Sequence, residues 1–235
     1  MSTVSLKQSP CPPKRARFVR GLRLGFPILL GYAPVGAAFG VVARDLGFTP
    51  LQAIVCSATA LAGAGQFIAL AAMKAGDGLL TVVTATAVVN LRYVLFAAAL
   101  APHVARVPVA GQSVLGYTLT DETFAVNIDD HRRGTADAYS MAGVGAISWI
   151  GWVGGTVLGA FAAGLIGDPN AWGVQFAMPA MFTALLVAQA EDRRHVIVGV
   201  LSAVLAVGLM LLLPDRWYVI ATPVLAAAVA AVVYR

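Results

Sequence analysis

Eight apolar stretches, each close to the length of a membrane-crossing helix, constrain the fold of this chain more than any other feature. Crossing the hydrocarbon of a bilayer takes roughly 20 predominantly apolar residues in a helix. The chain of 235 residues is 59% hydrophobic and only 11% charged. We therefore predict an all-α, polytopic transmembrane bundle of seven or eight segments. The segments are Leu22–Ala43, Pro50–Met73, Gly78–Ala101, Val107–Asn127, Ala142–Ile166, Ala171–Ala190, Val196–Leu213 and Trp217–Tyr234.

Lysine and arginine residues indicate how the segments are oriented, because they collect in short cytoplasmic loops. If all eight segments cross and the N-terminus is cytoplasmic, twelve of the 16 Lys and Arg residues lie inside, three lie outside and Arg92 lies in the membrane. If Val107–Asn127 does not cross, the balance becomes seven inside against eight outside. The count favours eight crossings and a cytoplasmic N-terminus. Seven crossings stay open, because Val107–Asn127 carries acids and fits a half-helix or an interfacial segment equally well.

The first 20 residues differ from the rest of the chain. They are polar and basic and show no apolar periodicity. We expect residues 1–20 to form a disordered, basic cytoplasmic tail. Residues 21–235 are expected to form a single transmembrane transport domain.

The composition also excludes several classes of function. The sequence shows no metal-ligand cluster, phosphate loop or nucleophile–base arrangement, so we expect neither an enzyme nor a bound metal or cofactor. Cys11 lies in the tail and Cys56 in an apolar segment, which gives no disulfide or metal-binding pattern. The basic pI of about 9.6 reflects charges between the segments, which argues against nucleic-acid binding.

Arg92 is the most unusual residue of the apolar segments. It lies near the middle of Gly78–Ala101, two residues after Asn90. A charge at that depth costs roughly 2.5–3.5 kcal/mol on insertion scales, so it normally faces protein or water and marks a binding site or a pathway. The alternative, a structural ion pair that locks two helices, stays open.

Glycines interrupt the centre of the second segment, just before Gln66. Each Gly disfavours a helix by ~1 kcal/mol relative to Ala. One interpretation is an interrupted helix whose freed amides face a solute carboxylate. The other is tight helix packing through small residues. We favour the first because Gln66 needs a hydrogen-bond partner at that depth. The predicted substrate-binding residues are Gly63, Gly65, Gln66, Phe67, Asn90 and Arg92.

Two adjacent acids, Asp121 and Glu122, lie in the fourth segment. If that segment enters the membrane, the acids need a cation, and Arg92 is the obvious partner. One acid would then pair with Arg92 while the other exchanges a proton. If the segment is a loop, both acids are simply solvated.

Prolines and glycines predict helix breaks and an internal repeat. Pro34 and Pro179 lie inside apolar segments, where each removes a helical hydrogen bond, so we assign both as helix breaks. Gly36-x3-Gly40 and Gly155-x3-Gly159 recur at an offset of 119, as in transporter folds built from repeats. The copies would be parallel with four crossings per copy and inverted with three. The glycines near Gly155 also predict a face that packs on another helix.

Four short motifs follow one another in a specific order: Gly36-Ala-Ala-Phe-Gly40, Ala62-Gly-Ala-Gly-Gln66-Phe67, Asn90-Leu-Arg92-Tyr93 and Leu119-Thr-Asp-Glu122-Thr-Phe124. In this order and spacing the chain, from about Arg20 to its C-terminus, resembles the AzlC family, the large subunits of bacterial branched-chain amino-acid exporters. Relatives often have His after the Asn-Leu-Arg motif. This chain has Tyr93 there, so no proton role is assigned to that position.

The resemblance implies secondary export of valine, leucine, isoleucine or similar amino acids across the bacterial inner membrane, opposed to proton entry. It also implies a small membrane subunit of the AzlD type as partner. The residues themselves are compatible, because a zwitterion needs a cation or amides for its carboxylate and an acid for its ammonium group. Two other classes stay open, a membrane scaffold without intrinsic transport and a passive small-solute channel.

Overall fold

The described part of the chain is helical throughout, which confirms the all-α bundle. The computed structural model describes residues 12–166 and 192–212 without a gap, and elsewhere positions 173, 176, 179–180, 183, 187, 221–222, 225–226 and 228–229; of Ile166 and His195 it describes the backbone alone. The predicted segments Ala171–Ala190 and Trp217–Tyr234 lie largely outside these residues. The helices are α1 (Lys14–Asp45), α2 (Pro50–Thr59), α3 (Gly63–Lys74), α4 (Leu79–Asn90), α5 (Arg92–Val104), α6 (Val109–Tyr117), α7 (Asp121–Arg132), α8 (Ala138–Ile166) and α9 (Arg193–Leu212).

Helices α2 and α3 form a hairpin that enters the molecule and returns to the same end of α1. α2 starts at Pro50, directly after α1 ends, and Thr49 and Gln52 cap its first turn reciprocally. The chain then leaves helical geometry at residues 60–62. α3 returns so far that Nζ of Lys74 lies 3.4 Å from a carboxylate oxygen of Asp45. Both ends of the hairpin therefore lie at one end of α1, which we call the Asp45 end.

Helices α4 and α5 run from the Asp45 end to the opposite end, which we call the Arg20 end. Only Leu91 interrupts them. The ring of His103, near the end of α5, stacks on His131 of α7 with 4.2 Å between centroids. His131 in turn contacts Met141 in the first turn of α8. α5 and α7 therefore end together, beside the start of α8.

A second hairpin, α6–α7, enters from the Arg20 end. α6 starts at Val109, a few residues after α5 ends, and the following turn places Thr120 against Tyr32 near the middle of α1. α7 then returns until Asp130 pairs with Arg20. The interruption expected in the second segment is confirmed, and the fourth segment is built of half-helices, one of the alternatives left open. Both segments return to the end from which they enter, so neither makes the full crossing that the charge count favoured.

Among the residues that the structure describes, three stretches are long and apolar enough to cross a bilayer: Lys14–Asp45, Leu79–Val104 and Ala138–Leu165. Hydropathy could not distinguish the hairpins from crossings, because two half-helices of about ten residues have together the apolar length of one span. Since both hairpins return to their own side, α1 and α8 run in the same direction.

The parallel pair α1–α8 is packed through glycines, as predicted for the glycines near Gly155. A Cβ added at Gly36 or at Gly40 would overlap the backbone carbonyls of Trp152 or Thr156 on α8. A Cβ added at Gly155 or at Gly159 would overlap the carbonyls of α1 at Ala33 or Ala37. Small residues thus let the two backbones approach closely.

These contacts are symmetric under exchange of the two helices. Adding 119 to the α1 position and subtracting 119 from the α8 position converts the contact of Gly36 with Trp152 into that of Gly155 with Ala33. The same operation converts the contact of Gly40 with Thr156 into that of Gly159 with Ala37. A parallel internal repeat predicts this exchange for its equivalent helices. The later elements of the second copy fall largely outside the described residues.

The structure corrects two local expectations. α1 begins at Lys14, so residues 14–20, which we assigned to a disordered tail, are helical. Their charges have partners: Arg17 pairs with Asp137, and Arg20 pairs with Asp130. Pro34 does not break α1, which continues to Asp45, since proline removes only one hydrogen bond of a helix that α8 supports. Pro179 is helical, and its carbonyl accepts a hydrogen bond from Thr183.

The ion pair at the Arg20 end predicts an acid-dependent stability. Arg20 donates hydrogen bonds to both carboxylate oxygens of Asp130, which hold the pKa of Asp130 below its ordinary value. A lowered pKa stabilises the fold above the ordinary value, and this contribution is lost as pH falls through the lowered value. We expect the acid-induced fall in Tm of purified protein to be shallower in Asp130→Asn. Asp129→Asn, whose carboxylate is exposed, should follow the parent, and equal curves for all three proteins would contradict the prediction.

Candidate functional site

The turns of the two hairpins meet near the middle of α1 and α8. Residues 60–62 form one turn and Thr118–Thr120 the other. The hydroxyl of Tyr117 at the end of α6 donates to the carbonyl of Ala58 at the end of α2, and it accepts a hydrogen bond of 3.1 Å from Nε1 of Trp149. α3 and α7 therefore begin close to each other, with their first backbone amides directed toward the centre of the molecule.

Arg92 and Asp121 form an ion pair at this centre, as the sequence predicted. Nη2 of Arg92 lies 2.9 Å from Oδ2 of Asp121, and the two side chains are 27% and 14% exposed. The aromatic ring of Tyr93 lies 5.4 Å from the guanidinium carbon. Nε of Arg92 is buried and has no hydrogen-bond partner among the described residues. The guanidinium thus keeps one donor for a further acceptor.

Glu122 has a different partner from Asp121. One carboxylate oxygen of Glu122 accepts a hydrogen bond from the hydroxyl of Tyr32, which lies 2.8 Å from the hydroxyl of Thr120 as well. No Lys or Arg within the described residues forms an ion pair with Glu122. The two adjacent acids are therefore inequivalent: Asp121 is neutralised by a cation, whereas Glu122 is held by a neutral hydroxyl.

The first turn of α3 starts without a cap. In the described structure it has no side-chain cap and no acidic residue, and the first amides of a helix lack intrahelical partners. Gly63 lies against the ring of Trp152, where an added Cβ would be 2.6 Å from the ring edge. Gly65 lies against the side-chain amide of Asn90, 2.9 Å from an added Cβ. The glycines thus permit the close packing that was one alternative, and the break before Gly63 leaves an uncapped helix start, which the other alternative requires.

Gln66 fixes the position of this turn. Its side-chain oxygen accepts a hydrogen bond of 2.9 Å from Nε1 of Trp152, and its amide nitrogen donates to the carbonyl of Cys56 at 3.1 Å. Phe67 contributes to the apolar cluster behind it, with its ring edge toward Phe39. Gln66 and Phe67 therefore support the site from behind.

A small cavity of about 20 Å³ lies between the two hairpin turns. Four predicted residues line it, and four others, Gly65, Gln66, Phe67 and Asn90, do not. Its lining is Tyr32, Leu61, Gly63, Ala64, Arg92, Tyr93, Thr120, Asp121, Glu122 and Trp152.

Sequence reasoning missed Tyr32, Thr120 and Trp152 as parts of this site. Tyr32 and Trp152 come from the two long helices, and their rings meet edge to face at 5.4 Å between centroids. Thr120 could have been found, because Thr120 and Thr123 form the reciprocal cap of α7 directly beside the two acids.

The model of the AzlC protein family matches residues 27–166, which include every residue that lines the central cavity. The chain is 33% identical over 213 residues to the inner membrane protein YgaZ of Escherichia coli strain K12, covering 84% of this chain and 86% of that relative. It is 32% identical over 201 residues to an uncharacterized membrane protein of Archaeoglobus fulgidus, covering 85% and 87%.

A more distant relative has a name that states its role. The branched-chain amino acid transport protein AzlC of Bacillus subtilis is 24% identical over 191 residues, which cover 77% of this chain and 73% of the relative. No solved structure matches the chain. The membrane class is thus supported by both the relatives and the apolar helices.

Proposed function

The chain belongs to the AzlC family, and we propose that it is the large subunit of a two-component secondary transporter that exports valine, leucine, isoleucine or similar amino acids by proton antiport. One observation supports this most: the start of α3, which has no side-chain cap, and the start of α7, which carries Asp121 and Glu122, line the same cavity together with Arg92. Discontinuous helices of this kind bind ions and zwitterions in membrane transporters.

The central site offers a partner for each part of a neutral amino acid. The carboxylate fits the free amides of the first turn of α3, near the unpartnered Nε of Arg92. The ammonium group fits Glu122, which has no cation of its own within the described residues. A short apolar side chain would lie against Leu61 and Trp152. We therefore place substrate recognition at the start of α3, and the ammonium and proton site at the start of α7.

Glu122 is also the group that we assign to proton exchange. Asp121 forms an ion pair with Arg92, so protonating Asp121 would leave a buried cation without its partner. Glu122 contacts a hydroxyl, which can donate to a carboxylate or accept from a carboxylic acid. Binding of either a proton or an ammonium group at one carboxylate gives the mutual exclusion that antiport requires.

The present conformation is contracted. A cavity of about 20 Å³ holds about one water molecule, far less than valine needs. Substrate binding therefore requires the hairpin turns to separate. The contact of Tyr117 with Ala58 and the contact of Tyr32 with Glu122 are the ones that such a movement would release.

Basic residues support an N-terminus in the cytoplasm of a bacterial inner membrane. At the Arg20 end, residues 12–166 carry Lys14, Arg15, Arg17, Arg20, Arg23, Arg106, Arg132 and Arg133. The Asp45 end carries only Arg44 and Lys74 within that range. Lys74 lies beside Asp45, at the end of α1 opposite to Arg20. We assign the Arg20 end to the cytoplasm on this imbalance.

A small membrane subunit of the AzlD type completes the proposal. α4 has no buried residue, and its side chains Leu79 and Leu80 are each 80% exposed. Leu91 and Leu95 extend this apolar face into α5. The face suits either lipid or an apolar partner helix, so transport should be measured with and without the partner.

Counterflow of radiolabelled valine into proteoliposomes tests the function. We expect the counterflow to saturate with valine concentration and to be inhibited by unlabelled leucine and isoleucine. An imposed pH gradient should drive valine in one direction. Flux without saturation would identify a passive channel. The absence of counterflow with the small subunit present would contradict transport.

Replacing Glu122 by glutamine tests the proton assignment. Glutamine keeps the size of the side chain and its hydrogen bond to Tyr32 but takes up no proton. We expect valine counterflow to persist with KM raised roughly tenfold, which corresponds to about 1.4 kcal/mol, and the response to a pH gradient to disappear. Asp45→Asn, which removes only an exposed ion pair with Lys74, should behave as the parent. Undiminished pH-driven transport by Glu122→Gln would place the proton on another group.

A further inference from the structure

A second, larger cavity lies at the Arg20 end between α1 and α7. Its volume is about 400 Å³, which exceeds the requirement of a small amino acid. Its lining combines three apolar residues, Leu24 on α1 and Ala125 and Val126 on α7, with four charged ones, Arg20, Asp129, Asp130 and Arg133. Charged residues of both helices surround its mouth, where Arg20 pairs with Asp130.

The register of the two helices connects this cavity to the central site. On α1, Arg20, Leu24, Ile28 and Tyr32 follow one another at intervals of four, so each lies about one turn beyond the last. On α7, Glu122, Val126 and Asp130 are also spaced by four residues. The pair Arg20–Asp130 joins the faces at one end, and Tyr32 joins Glu122 at the other.

The separation between the two joined ends is short. Tyr32 follows Arg20 by twelve positions on α1, which is about 18 Å along a helix. Ile28 lies between the two cavities on this face and is 8% exposed. The contact face of α1 and α7, which we call the α1–α7 seam, therefore has the larger cavity near one end, the central cavity near the other, and the buried Ile28 between them along α1.

We propose that the α1–α7 seam is the route by which the substrate amino acid reaches the central site from the Arg20 end, with Ile28 as its constriction and the Arg20–Asp130 pair at its mouth. The proposal rests on the transport function argued above. The chemistry of the seam matches the cargo: charged groups of both signs at the mouth meet a zwitterion, and the small apolar walls accept a branched aliphatic side chain. The acid of the central site that the seam reaches first is Glu122, not Asp121.

Thiol modification tests the seam directly. In a protein whose native cysteines are replaced (Cys11→Ala, Cys56→Ala), Ala125→Cys and Leu24→Cys place a thiol on either wall. Leu30→Cys is the matched control, because Leu30 lies on another face of α1 and is 59% exposed. A membrane-impermeant, charged methanethiosulfonate reagent is added from each side of the membrane, with and without valine.

We expect both wall cysteines to react at least tenfold faster than Leu30→Cys, from the Arg20 end only. Valine should slow this reaction, and modification should abolish counterflow. Because the two cysteines are on different helices, the test can still be made with one variant if the other fails to fold.

Wall cysteines that react as slowly as the control, or whose modification leaves counterflow intact, would overturn the seam as the route and would show a lipid-filled groove instead. In that case valine counterflow by the unmodified protein would still support transport. Fast, valine-insensitive labelling in a protein without counterflow would overturn both the seam and the transport function.

Discussion

We expect valine counterflow to be lost when Arg92 is replaced by alanine, in a protein that still inserts in the membrane and folds. The substitution removes the cation at the central cavity and leaves Asp121, only 14% exposed, without its partner. Truncating one partner of a buried charge pair costs about 2–5 kcal/mol, so we expect transport at limiting valine to fall by about thirtyfold or more. Counterflow in proteoliposomes measures the loss, and elution of the purified protein as a single species in size-exclusion chromatography checks the fold.

Two further variants separate a role in transport from a structural lock. Arg92→Lys keeps the charge but not the planar donors, so it should transport weakly. Arg92→Ala combined with Asp121→Asn removes both charges; a mere lock predicts that this double variant recovers transport, whereas substrate recognition predicts that it stays inactive. Arg23→Ala, an exposed arginine at the Arg20 end, should transport normally. Counterflow at the parental rate in Arg92→Ala would contradict a role of Arg92 in substrate binding.

We expect Gly155→Ala to lower the Tm of the protein strongly and Gly154→Ala, at the neighbouring position, not to lower it. The added Cβ at Gly155 meets the backbone carbonyl of Ala33, which cannot move without separating α1 from α8. Overpacking of this kind costs about 1–3 kcal/mol or more. Gly154 has no atom within 4 Å of the added Cβ, so alanine should be neutral or stabilise the helix by up to about 1 kcal/mol. Thermal unfolding in detergent measures both, and equal Tm values for the two variants would contradict the packing.

The sequence was sufficient to predict an ion pair at the site but not its architecture. Arg92 was expected to pair with either Asp121 or Glu122 because a buried charge needs a partner of opposite sign, and the structure shows the pair with Asp121. The break before Gln66 was also expected, because glycines disfavour a helix there. By contrast, the hydrogen bond from Tyr32 to Glu122 joins residues that are 90 positions apart in the sequence. The local sequence pattern around Glu122 does not indicate which distant residue it contacts.

The hairpins escaped prediction for a different physical reason. A stretch such as Pro50–Met73 satisfies the length and hydropathy of one crossing whether it continues or turns back. The observation that decides between them is the contact of Lys74 with Asp45, which is tertiary. Composition alone likewise placed residues 14–20 in a disordered tail, because the acids that pair with Arg17 and Arg20 lie more than 100 positions away.

The exchange-symmetric packing of α1 against α8 ends where the central cavity begins. Reciprocal contacts of this kind are those of a two-fold interface, in which each surface meets the equivalent surface of the other. Here both surfaces belong to one polypeptide, and the axis that relates them runs between the two helices along their common direction. The side chains do not follow this symmetry: Trp152 lines the central cavity, whereas its counterpart Ala33 does not, so a symmetric pair of backbones carries a single asymmetric site.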